Sequence, residues 1–284
     1  MTSSDPQLGV GHAFREPGWL ERVASRFRSA AARMPFWHPL KRSYEWLLAA
    51  MPGTAFVSTL PGGERVRLDP AHRQLAWNPD EYKAFKAAVR PGAIVVDAGA
   101  NLGAYTMLFA QWVGASGRVY AFEPAPECRA GLERQLALNG LTGNVVVRPE
   151  AIAETTGVRR FRASGLRGDN RLGGAVESDA DGVDVKTVSI DDFCGRRGIV
   201  PDVIKIDVEG AELEALRGAR RTILAAGTAL VLFVEMHPSI WVQIGVTRDA
   251  VEAELAAQGL AIERIDGGGD PWSIEGVCLR AWRV

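Results

Sequence analysis

The chain is 284 residues long, with 33 Lys and Arg against 34 Asp and Glu and a formal net charge of −1. That balance excludes a protein that holds nucleic acid by neutralising phosphates, which needs a basic excess. With 47% apolar and 24% charged residues there is material for one large α/β domain with an extension or for two small domains, and no apolar run is long enough to span a bilayer.

Cys128, Cys194 and Cys278 lie far apart and form no C-x-x-C pair, so neither a zinc site nor a disulfide framework is indicated. The N-terminus lacks a signal-peptide core, and a reducing cytoplasm is the expected compartment. Residues 1–14 are polar. The segment 15–47 is basic and aromatic, with Trp19, Leu20, Val23 and Phe27 at helical spacing and Trp37, Tyr44, Trp46 and Leu47 beyond. It reads either as an amphipathic element touching an anionic surface or a carrier partner, or as a helical cap on the main domain or a second subunit, a homodimer being one possibility. A boundary is expected at Pro52-Gly53, giving an extension over 1–53 and a main domain over 54–284. Ala55–Thr59 and Arg65–Leu68 alternate across Pro61-Gly62-Gly63 and predict a hairpin; Tyr82–Val89 predicts a short helix.

From Ile94 to Glu123 the pattern tightens. Ile94-Val95-Val96-Asp97 is a buried strand, Gly99, Asn101 and Gly103 form a small-residue turn, Ala104–Trp112 is an amphipathic helix, and Val119–Phe122 is a second strand closed by Glu123. These are the parts of a nucleoside-binding βαβ unit, with a carboxylate about 20 residues past the turn to accept hydrogen bonds from ribose hydroxyls. The spacing is G-x-N-x-G, not the G-x-G-x-x-G of dinucleotide sites. It suits a ligand without pyrophosphate, such as S-adenosylmethionine (SAM), with its amino-acid tail and sulfonium.

Beyond Glu123 a helix is expected to Asn139, a strand at Val145–Val147, and strands at Phe161 and Val183–Val188 on either side of a polar loop, Ser164 to Gly182. Strands at Val203–Asp207, Ala229–Met236, Leu260–Ile265 and Val277–Val284 alternate with helices at Ala211–Leu224 and Asp249–Gln258. This alternation predicts a mostly parallel sheet between helices. The last two strands, joined by a glycine-rich turn with no helix, must pair antiparallel.

Val95-Val96-Asp97-Ala98-Gly99-Ala100-Asn101-Leu102-Gly103, Ala121-Phe122-Glu123-Pro124, Thr187 to Asp192 and Val203-Ile204-Lys205-Ile206-Asp207-Val208-Glu209-Gly210 closely resemble the FkbM family of SAM-dependent methyltransferases, over residues 92–237. The resemblance implies a Rossmann-like class I methyltransferase fold, a seven-stranded sheet with an antiparallel last strand and helices on both faces. It also implies O-methylation of a hydroxyl on a natural product or saccharide. On that reading Asp97 and Asn101 hold the amino-acid end of SAM with Gly99 giving it backbone room and Gly103 completing the cofactor turn, Glu123 holds the ribose, and Glu150, Ala151 and Ile152 line the adenine. Asp207 and Glu209 lie beside the methyl.

His237 is the first candidate for the base, because an unperturbed imidazole titrates near neutrality. The plainer role is a cap on the turn before Pro238. Asp207 is the second candidate, its plainer role being an ion pair with Lys205. Glu235, Arg167, Asn170 and Arg171 are expected to contact the acceptor, the loop residues being otherwise solvated. No metal is assigned, although Asp207, Glu209, Glu235 and His237 are ligand types for a divalent ion. The alternatives are a metal-dependent sugar O-methyltransferase, a SAM-binding scaffold without chemistry, and a nicotinamide-dependent dehydrogenase, which the turn and the closing hairpin oppose.

Overall fold

A computed structural model describes residues 56–72, 75–162, 171–172, 182–272 and 276–284. The chain divides into two compact units, Met1–Pro79 and Asp80–Val284. In the first, β1 (Phe56–Thr59) and β2 (Arg65–Leu68) pair antiparallel with Thr59 opposite Arg65, the hairpin expected from the alternation. The basic segment 15–47 lies outside the described residues.

From the unit boundary the chain continues with α1 (Pro79–Ala88), β3 (Ile94–Ala98), α2 (Ala104–Val113), β4 (Arg118–Phe122), α3 (Pro126–Asn139) and β5 (Val145–Arg148). Four short strands follow, β6 (Ala151–Ile152), β7 (Gly157–Arg162), β8 (Arg171–Leu172) and β9 (Val183–Val188). Then come α4 (Ile190–Arg197), β10 (Val203–Ile206), α5 (Glu212–Arg217), α6 (Arg220–Ala226), β11 (Val231–Met236), α7 (Pro238–Ile244), α8 (Arg248–Ala257), β12 (Leu260–Arg264) and β13 (Val277–Arg283). Among the described residues no helix is long and apolar enough to cross a membrane.

Seven strands form one sheet in the order β12-β13-β11-β10-β3-β4-β5. All run the same way except β13, which is antiparallel to both β11 and β12. Both faces are covered, as near-continuous apolar strands require. Val96, Ala98, Phe122, Ile204, Ile206 and Val234 share one apolar cluster with Phe193 of α4, Leu216 of α5, Ile223 of α6 and Leu255 of α8. On the opposite face Phe85 of α1 meets Phe233 of β11 at 4.6 Å between ring centroids and Phe109 of α2 at 5.6 Å. Burying such a ring stabilises by roughly 1.5–3 kcal/mol, which fixes α1 and α2 against the sheet.

Two features depart from the pattern read in the sequence. The single helix expected over Ala211–Leu224 is two, α5 and α6, broken at Gly218-Ala219. A Cβ at Gly218 would lie 2.4 Å from the Ala153 carbonyl, and the Gly218 carbonyl accepts the Asp191 N–H at 2.8 Å. The Asp191 carboxylate then accepts from the backbone N–H of Thr222 at 2.7 Å and of Arg221 at 3.0 Å, satisfying the first orphan donors of α6 from a distant element. The second departure is a separate four-stranded sheet, β6-β9-β7-β8, in which β7 and β9 pair antiparallel from Gly157 opposite Thr187 to Phe161 opposite Val183.

Candidate functional site

A cleft opens where β3, β4 and β10 end, its empty space about 570 Å³ with the solvent-open mouth included. Parallel strands bring their C-terminal loops to one edge, so the cleft's place follows from the sheet direction. Of the residues singled out above, Gly99, Asn101, Glu123, Ala151, Ile152, Asp207 and Glu209 line it. Phe122, Pro124, Phe161, Val208 and Ala211 line it too. The sequence offered no signal for Phe161 beyond a strand, because its place depends on β7 pairing with β9. Arg167 and Asn170 lie outside the described residues; Arg171 opens β8, and its side chain lies outside them.

The turn after β3 is held by steric necessity. Gly99 has φ 81°, and a Cβ there would lie 1.7 Å from the Asp207 carbonyl oxygen; Gly103 has φ 85° and faces Leu132 of α3. Asn101 between them is left-handed at φ 49°, a conformation that costs a side-chain-bearing residue on the order of 1 kcal/mol. It turns the Asn101 N–H onto Glu123 Oε2 at 2.7 Å, while the Ala125 N–H donates to Oε1 at 2.8 Å. Glu123 is thereby fixed by backbone donors at the mouth of the cleft. Burial pushes its carboxyl up to about 7, against the pull of these two bonds.

Asp97 sits below this turn, 1% exposed, and does not line the cleft. It acts on the turn from beneath. Its Oδ2 accepts the Thr106 hydroxyl at 2.6 Å, its Oδ1 has no hydrogen-bond partner, and burial raises its pKa against the opposing pull of Lys205 and Thr106. Glu150 is drawn onto Arg148 of its own segment, so Ala151 and Ile152 reach the cleft and Glu150 does not.

The second turn, after β10, is held by charge. Lys205 is buried, with Nζ 3.0 Å from Asp207 Oδ2, 3.9 Å from Asp97 Oδ1, and 5.9 Å from the centroid of the Tyr105 ring. Burial alone would lower its pKa, but Asp207 and Asp97 outweigh burial and hold it well above the usual ammonium range. One cation thus joins the two turns, and the expected Lys205–Asp207 pair is present. Glu209, at φ 46°, and Gly210, at φ 98°, reverse the chain into α5.

Glu212, fully buried at the start of α5, accepts the Gly210 N–H at 2.8 Å, the Trp241 indole N–H at 2.6 Å and the His237 Nδ1–H at 2.8 Å. His237 Nε2 faces Glu209 Oε2 and Glu235 Oε1, each at 3.7 Å. Burial lowers the imidazole pKa, but the bond to Glu212 and the surrounding acids win and lift it to about 10. This surrounding of acids pulls the ring toward its protonated form, away from the near-neutral titration of an unperturbed imidazole. It does not cap, since the side chain makes no capping bond at the N-cap of α7. Glu235 is pushed well above the ordinary carboxyl range by burial first and then by Asp207 and Glu81, with Lys205 and His237 opposing. Asp207, Glu209 and His237 each offer one ligand atom within 4.8 Å of the others.

Set against known proteins, residues 97–260 match the family described as the methyltransferase FkbM domain. The chain is 30% identical over 203 residues to methyltransferase sdnD of Sordaria araneosa, covering 60% of this chain and 74% of that protein. It is 32% identical over 167 residues to 31-O-demethyl-FK506 methyltransferase FkbM of Streptomyces tacrolimicus, covering 48% and 63%. It is 24% identical over 193 residues to hexuronic acid methyltransferase AglP of Haloferax volcanii, covering 68% and 75%. The matched span takes in both turns, Glu123, Lys205 and the Glu212–His237 pair, and on that span the chain belongs to the FkbM methyltransferase family.

Proposed function

We propose that this protein is a SAM-dependent O-methyltransferase that methylates a hydroxyl of a small natural product or a saccharide. The observation that carries the reading is Glu123, fixed by the Asn101 and Ala125 N–H groups beside a turn that tolerates no Cβ at Gly99. The cleft fits the methyl donor on three counts. A carboxylate has about four acceptor sites, and the two backbone donors leave two for a ribose diol. Ile152, Phe161 and Pro124 give an apolar wall for a flat base. The small-residue turn leaves backbone room for an amino-acid tail. The names of the relatives support the acceptor class, since one is a 31-O-demethyl-FK506 methyltransferase and another a hexuronic acid methyltransferase.

When bound, SAM supplies a methyl carbon activated by its sulfonium. The chain's own part is orientation and proton management. Lys205 fixes the Asp207 carboxylate at the cleft wall, and Glu212 fixes the His237 ring behind Glu209. This anionic corner orients the acceptor hydroxyl toward the methyl and favours loss of its proton as the new O–C bond forms. Aligning two reactants in this way is a large part of what an enzyme can contribute to methyl transfer. The three free, buried cysteines suit a reducing compartment, and we place the activity in the cytoplasm.

The test is transfer of labelled methyl from SAM to a panel of hydroxylated macrolides and uronic acids. Label on an acceptor oxygen is expected. His237→Ala should lower turnover by roughly 10²-fold with SAM affinity unchanged. Unaltered turnover would remove His237 from the reacting corner, and label on no acceptor with SAM bound would leave only a SAM-binding scaffold.

A further inference from the structure

We infer that Asp207, Glu209 and His237 form a binding site for one divalent first-row cation, which takes the acceptor hydroxyl as a further ligand. The inference deepens the O-methyltransferase reading and rests on it for the second half of the statement. Acidic residues alone would not make a site, since exposed carboxylates gather for many reasons. Here the distinguishing group is the imidazole. The His237 side chain is 9% exposed; its Nδ1–H is held by the buried Glu212 at 2.8 Å, and its Nε2 makes no hydrogen bond and faces the carboxylates. A carboxylate that fixes one ring nitrogen so that the other is presented outward is the usual support behind a metal-bound histidine. Glu212 is itself fixed by the Gly210 N–H and the Trp241 indole, so the ring orientation is rigid before any ion arrives.

The spacing agrees. Two ligands at about 2.1–2.4 Å from one ion lie roughly 3–4.8 Å apart, and the three ligand atoms here lie within 4.8 Å of one another. One nitrogen with two oxygens suits Mn²⁺, Fe²⁺ or Zn²⁺ better than Mg²⁺, which prefers oxygen alone. Three protein ligands leave coordination positions open, and Asp207 and Glu209 line the cleft, so an acceptor can reach the ion. A coordinated hydroxyl gives up its proton to water; its oxygen then forms the bond to the methyl carbon as the carbon–sulfur bond breaks and its electron pair returns to sulfur.

The experiment is titration of chelator-treated protein with Mn²⁺, following loss of the free-ion signal by electron paramagnetic resonance, with SAM affinity measured on the same samples. One Mn²⁺ per chain is expected. Glu209→Gln and His237→Ala should each weaken it at least tenfold, Glu212→Gln by about 10–100-fold, and Glu123→Ala not at all. Circular dichroism and SAM binding report whether each variant is folded; Glu209, on the cleft wall, carries the test if the buried changes unfold the protein. No bound Mn²⁺ up to millimolar, or wild-type affinity in Glu209→Gln, would overturn the inference while leaving SAM binding to stand. Bound Mn²⁺ with no SAM affinity would overturn the methyltransferase reading, and with it the acceptor's place on the ion.

Discussion

The two turns that frame the cleft do the same geometric job by different means. After β3 the chain is reversed by glycines, and a carboxylate is fixed by two backbone N–H groups. After β10 it is reversed by Glu209 and Gly210, and the groups around it are fixed by Lys205, Glu212 and Trp241. Each turn contains one left-handed residue that is not glycine, Asn101 and Glu209, so each stores strain at the cleft wall. The first turn makes a close-fitting cradle around one backbone-held carboxylate; the second gathers several charged side chains into a corner. A nucleoside needs the first kind of surface and a reacting hydroxyl the second.

Lys205 is where the comparison can be broken, because it serves both turns. Lys205→Met strands Asp97 and Asp207 with a single buried cation removed, and should cost about 3–5 kcal/mol in denaturant unfolding. Little change would mean that the two turns are held independently of this cation. Thr106→Val touches the first turn alone. It removes the Thr106 hydroxyl's donation to Asp97 Oδ2 at 2.6 Å and should cost about 1–3 kcal/mol while sparing the charged corner.

The first turn could be read along the chain because its parts are neighbours. Gly99, Asn101, Gly103 and Glu123 fall within one strand-helix-strand unit, and the turn's demand for small residues is visible in the letters. The mostly parallel sheet and the antiparallel closing pair were legible in the same way, from the alternation of strands with helices and the helix-free connection at the end, while the number of strands was implied by the family resemblance. The second turn was only half legible. Asp207, Glu209 and His237 stood out by type, but Glu212 was not among the candidate site residues. Its role appears only when the end of β11 carries His237 back to it across 25 residues. For the same reason the expectation of an imidazole near neutrality missed the bond to Glu212 and the surrounding acids, which push it up to about 10. The break between α5 and α6 is also non-local, since the Asp191 cap and the Ala153 contact lie on other segments.

A pH series sharpens the contrast with the smallest effect. The Glu123 carboxyl sits at about 7, so the ionised fraction rises from about one tenth at pH 6 to about nine tenths at pH 8. An ionised carboxylate is the better acceptor for ribose hydroxyls. SAM affinity should therefore rise by up to roughly tenfold over that window in the wild type, and stay flat in Glu123→Gln. A wild-type profile as flat as the variant's would detach Glu123 from the ribose.

The most direct measurement is calorimetric titration of SAM, or of its demethylated product, into wild-type protein and Glu123→Ala. A dissociation constant of about micromolar order is expected for the wild type, weakened at least roughly tenfold in the variant. Equal affinity in the two proteins would contradict the central claim that the acid closing β4 holds the nucleoside.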